Sequence, residues 1–91
     1  MTKQPYHGSP EALRDFIGEC MGRAAFYTNN AANYAAVDDD AGLDYSTRCA
    51  VVALQQGASA LKMLKETNAK IAQERLAARA EIDGADRALG L

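Results

Sequence analysis

The stretch LDYSTRCAVVALQQGASALKMLKETNAKIAQERLAARAEI, residues 43–82, decides the fold. It contains no proline and a single internal glycine, Gly57. Leu43, Ala50, Leu54, Ala58, Leu61, Leu64, Ile71, Ala72, Leu76 and Ile82 fall on one broad helical face, and Glu66, Lys70 and Glu74 line the opposite side. That periodicity predicts one long amphipathic helix, whose apolar face must rest on something. The chain holds one element of the right kind, the segment that precedes it.

Ser9-Pro10-Glu11 is a strong helix start. Serine caps free backbone donors, proline at the first helical position forfeits a donor that has no partner there anyway, and the glutamate faces the positive end of the helix dipole. From Leu13 onward, Phe16, Ile17, Cys20, Ala24, Tyr27, Ala31, Tyr34 and Ala35 recur at spacings of three and four, which predicts a first helix over 9–36. Its weak point is Thr28-Asn29-Asn30, where low helix propensity allows a kink or an early stop.

Between the two helices, residues 37–44 carry Asp38, Asp39, Asp40 and Asp44 around Gly42. A calcium loop would need ligands alternating about its glycine and a glutamate at the twelfth position, and this segment has neither register nor glutamate. A turn that caps the next helix through Asp40 or Asp44 accounts for the same residues, and no metal is expected.

Two helices joined so closely should lie antiparallel, which places Ala36 near Thr47, Cys20 near Met63 and Glu11 near Ala72. Cys20 and Cys49 then stand on the order of 20 Å apart, too far for a disulfide, so both are expected as free thiols. The second helix is also longer than the first, leaving roughly 15 Å or more, over 72–82, without a partner in its own chain. That overhang carries Leu76, Ala80 and Ile82. Either another subunit covers it, or the helix breaks near Thr67-Asn68 and folds back as a third. The Glu66, Lys70, Glu74 spacing crosses the proposed break without interruption and favours continuity. Residues 1–8 are expected as a flexible tail, including the sole histidine, His7, and 84–91 as a frayed tail after Asp83-Gly84.

Composition bounds the rest. The 91 residues allow one helical domain, and with 19 alanines against 8 Leu, 3 Ile, 3 Val and 2 Phe the core has little bulk, so self-association is expected to add to it. The reading is therefore an all-α antiparallel helical hairpin with a long second helix, assembling as a homo-oligomeric helical bundle. Residues 1–45 hold three basic and seven acidic side chains, and 46–91 hold seven and five. Such halves suit an antiparallel hairpin or a complementary subunit contact, and the net charge of −2 offers no field for nucleic acid. The polar first ten residues lack the apolar run of a secretory leader, no stretch is apolar enough to span a bilayer, and the cysteine usage suits a reducing cytoplasm. No phosphate loop, cysteine–histidine metal spacing or nucleophile–histidine pair appears, so neither an enzyme nor a cofactor is expected.

Two surfaces stand out as candidate sites. Gly18, Gly22, Phe26, Asn29 and Asn33 form a second stripe on the first helix, away from Leu13 and Ile17. Each interior glycine costs roughly 1 kcal/mol relative to alanine, a cost that a close contact with another helix or subunit would offset. On the overhang, Asn68, Arg75 and Arg79 sit within the apolar face beside Leu76 and Ile82. A buried asparagine fixes register in helical seams, and an arginine there needs a carboxylate, a phosphate or water. Candidate partners are Glu11, Asp15 or Glu19 of a neighbouring subunit, or an anionic small-molecule ligand at a subunit junction.

Leu54-Gln55-Gln56-Gly57 followed by Ala60-Leu61 resembles the late helix of the small phage proteins that sequester cyclic-dinucleotide signals of bacterial CBASS immunity. The resemblance spans residues 54–61 and implies an all-helical oligomer that places a ligand between subunits; no binding residue is carried over from it. The expected function is a non-enzymatic, self-associating binding protein. One form is a phage-encoded inhibitor that docks on a host defence protein, another a sponge for an anionic nucleotide, and a third a structural helical-bundle adaptor.

Overall fold

The computed structural model describes residues 9–90 and consists of two antiparallel helices, α1 (Pro10–Ala36) and α2 (Asp40–Ala88). The expected hairpin is present, and the readings made for His7 and the rest of 1–8 lie outside the described residues. Ser9 caps α1 as its sequence predicts, its Oγ accepting from the Ala12 N–H at 3.3 Å with Pro10 in the first turn. Thr28-Asn29-Asn30 neither kinks nor stops α1; the Thr28 hydroxyl donates back to the Ala25 carbonyl at 3.0 Å and stays within the helical frame.

The reversal between the helices is tighter than the aspartate-rich segment suggests. Asp38 takes φ 59°, a left-handed conformation that aspartate tolerates better than most side chains, and the Asp39 N–H donates to the Tyr34 carbonyl at 2.9 Å. The cap of α2 is Asp39 rather than Asp40 or Asp44, its Oδ1 accepting from the Gly42 N–H at 3.0 Å. Asp44, one turn further on, instead holds Arg48 at 3.0 Å, an exposed i,i+4 pair. Asp39→Ala should lower stability by about 1 kcal/mol, within the ~0.5–2 kcal/mol span of lost caps, read as a drop in urea midpoint at unchanged slope.

Because α2 begins at Asp40 rather than Leu43, the register shifts. Cys20 faces Gly57, about six residues short of Met63, and the Tyr34 ring lies over Gly42. The packed seam of α2 is Ser46, Ala50, Ala53, Gly57, Ala60 and Leu64, with Thr67 and Ile71 half-buried beyond it. These positions alternate spacings of four and three, the 3.5-residue period of a left-handed supercoil. On α1 the matching seam is Leu13, Ile17, Cys20, Ala24, Tyr27 and Ala31. Large groups on one helix meet small ones on the other: Tyr34 covers Gly42, and Met21 reaches Gly57. A Cβ on Gly57 would sit 3.3 Å from the Cβ of Cys20, so the backbones approach closely there. The bulkiest cluster lies at the end remote from the turn, where Leu13, Ala60 and Leu64 pack with Phe16, Ile17 and Met63.

This seam corrects the face assigned to α2. Ala50 and Leu64 are buried and Leu43 and Ile71 half-buried as expected, but Leu54, Ala58 and Leu61 are exposed; Ala72, Leu76 and Ile82 are exposed too, on the overhang that lacks a partner in its own chain. The helix has turned its small residues inward, where they permit close packing over a long contact, at the expense of its leucines.

α2 also runs without interruption through Thr67-Asn68 and through Asp83-Gly84, so the described residues contain no third helix and no frayed tail before Ala88. Each of those residues costs at most about 1 kcal/mol in a helix, and the Ala, Glu and Arg around them favour continuation. The Glu66, Lys70, Glu74 ladder contributes no salt bridge to this continuity. The molecule is 77 Å long, and with α1 ending opposite Thr67 the part of α2 that α1 does not accompany covers 68–88, about 30 Å rather than 15 Å.

Candidate functional site

Three surfaces remain once the hairpin core is assigned. The first is the outer stripe of α1. Gly18, Gly22, Phe26, Asn29 and Asn33 are all exposed, and a Cβ built on either glycine meets nothing within 4 Å. The hairpin itself therefore makes no use of these glycines. Phe26 is 61 % exposed but not stranded, because its ring packs edge-on against Tyr27 at 5.2 Å.

The second surface is the far flank of α2 and its arm. Val51, Leu54, Ala58 and Leu61 lie exposed at spacings of three and four, and the same spacing continues through Lys65, Asn68, Ala72, Arg75, Arg79 and Ile82. This is a second full-length seam, with Leu76 (68 % exposed) beside it on the arm. Asn68, Arg75 and Arg79 lie along it, beside rather than on the inward face of Leu64 and Ile71, and neither arginine has an ion-pair partner among the described residues.

The third surface was not anticipated. On one side of the hairpin, near the turn, Arg23, Tyr27, Tyr45, Arg48, Cys49, Val52, Ala53 and Gln56 line an open pocket of about 450 Å3. The Arg23 guanidinium crosses the groove and donates to Gln56 Oε1 at 3.3 Å, and it also donates to Cys20 Sγ at 3.4 Å. It has no carboxylate partner among the described residues, whereas Arg48 is held by Asp44. The Tyr27 and Tyr45 rings meet edge-on at 6.4 Å, extending the Phe26–Tyr27 contact into a row of three rings. The Cys49 side chain, first through a hydrogen bond and then through its charge, raises the pKa of Tyr45 above the ordinary tyrosine range, with Tyr27 adding to the effect. The spacing of Arg23 with Tyr27, and of Tyr45 with Cys49, Val52 and Gln56, was visible along the chain; their convergence depends on the register between the helices.

Both cysteines are free, Cys20 buried and Cys49 half-buried, and the corrected register still separates them by about 12 Å of helical rise. Among the described residues, no cluster of three or more His, Cys, Asp or Glu side chains could hold a metal ion, and no helix is long and apolar enough to cross a membrane. In comparison with known proteins the chain matches no family model, no curated protein and no solved structure.

Proposed function

We propose that this chain is a non-catalytic helical binding module that works as a homo-oligomer, with the outer stripe of α1 free to dock on a protein partner. The observation that carries the reading is the arm. About 30 Å of helix with Leu76 and Ile82 on its surface continues a seam that already exposes Leu54 and Leu61 beside the hairpin. A seam of this length, apolar over 51–61 and carrying Ala72 and Ile82 between polar side chains on the arm, suits a second copy of α2, and each large apolar side chain so buried contributes roughly 1.5–3 kcal/mol. Arg75 and Arg79 would then meet acidic side chains of the second copy, Glu11, Asp15 or Glu19. Their lack of an ion pair within the chain equally supports a small anion held at that junction. Thermal shift with and without cyclic nucleotides separates the two, since a ligand at one hundred times its dissociation constant adds about 2.7 kcal/mol.

The α1 stripe provides the test of docking. Because nothing lies near either glycine, Gly18→Ala with Gly22→Ala should raise the stability of the isolated protein by roughly 1–2 kcal/mol in total, measured by urea unfolding. If the stripe seats a partner, the same pair of methyl groups weakens that complex. A pair that stabilises the protein and leaves every interaction intact removes the stripe from the function.

A further inference from the structure

We propose that the pocket between α1 and α2 near the turn binds a small planar aromatic ring carrying an anionic oxygen group, a carboxylate or a phosphate, with the Arg23 guanidinium as its anion contact. The two halves of this chemistry come from different features of the pocket. Val52 and Ala53 give it an apolar wall, and the exposed ring of Tyr45, set edge-on to Tyr27, presents a face on which another ring can stack. Arg23 supplies the charge. Its guanidinium is oriented by two neutral acceptors, Gln56 Oε1 and Cys20 Sγ, so its positive charge is uncompensated by any carboxylate of the described chain. Arg48 stands at the rim and is already paired with Asp44, which makes it the secondary contact. The volume, about 450 Å3, lies in the range of sites for small organic ligands and exceeds what a lone phosphate or carboxylate needs. Ring and anion together account for a pocket that is apolar on its wall and cationic at its edge.

The site is independent of the arm and of the α1 glycines, so its test does not depend on the oligomer. The probes are 1-naphthyl phosphate and 1-naphthoate, with 1-naphthol as the ring without charge and inorganic phosphate as the anion without a ring. Each is titrated into the full-length protein, followed by amide chemical shifts. Binding of the two naphthyl anions, with shifts centred on residues 23, 27, 45, 48, 49, 52, 53 and 56, is the expected result. Naphthol and inorganic phosphate should bind at least tenfold more weakly. Arg23→Gln should weaken the naphthyl anions by at least tenfold, and Tyr45→Leu should weaken them while leaving the response to inorganic phosphate unchanged. Both positions are exposed, so neither variant threatens the core. Whichever anion binds more tightly identifies the group as phosphate or carboxylate. The proposal is overturned if neither anion shifts these residues at millimolar concentration, if Arg23→Gln binds as well as the unaltered protein, or if Arg23→Gln changes the oligomeric mass, which would make the pocket a subunit contact.

Discussion

Leu13→Ala is expected to lower stability by about 2–5 kcal/mol, the cost of the lost transfer energy plus the cavity left behind. Leu13 is, among the described residues, the one large apolar side chain with no exposure at all, and it anchors the cluster with Ala60 and Leu64 at the open end of the hairpin. The other buried positions of α1 are Cys20 and Ala24, so none of them replaces its bulk. A domain of this size has a total stability of about 5–10 kcal/mol, so the variant gives up a large share of it and should melt well below the unaltered protein. Circular dichroism across a thermal scan checks this. Retention of the unaltered melting curve would mean that the hairpin is held chiefly from outside, by another subunit.

The second large effect concerns the arm. Under the proposed self-association, Leu76→Glu together with Ile82→Glu should leave single chains, and the hairpin itself should survive because both side chains are exposed in it. Removing roughly 3–6 kcal/mol of burial between copies weakens association by a hundredfold or more. Light scattering coupled to size exclusion reads the mass directly, and far-ultraviolet circular dichroism shows that α2 remains helical. An unaltered chain that is already a monomer at micromolar concentration would exclude the arm as a self-association surface.

The hairpin, the start of α1 and its buried positions were legible in the sequence, because Leu13, Ile17, Cys20, Ala24 and Tyr27 mix large and small apolar groups on one unambiguous stripe. The inward face of α2 was not. Hydropathy favours Leu54 and Leu61 over Ala53, Gly57 and Ala60, whereas helices that approach closely are selected by shape, so the smaller residues occupy the contact. The turn was recognisable from its aspartates, but not how tightly it reverses, and with Tyr34 over Gly42 the pairing differs from the expected one by about six residues. The pocket at Arg23 and Tyr45 follows from that pairing and could not be assembled without it. The α1 stripe and the arm residues were predicted from spacing alone, and the hairpin leaves both surfaces exposed.

The small-residue seam has a mechanical consequence. Shifted by seven residues, Ser46 is replaced by Ala53, Ala53 by Ala60 and Ala50 by Gly57, but Gly57 is replaced by Leu64 at the point where even a Cβ would press on Cys20 and Met21, so the middle of the contact admits one register. That register is held at three points: the Tyr34 ring seated on Gly42 beside the short turn, Gly57 against Cys20 and Met21 in the middle, and Leu13 packed with Ala60 and Leu64 at the open end. The molecule is thus keyed along its whole length, and a partner that loosens one of these points leaves the pairing of the helices set by the other two.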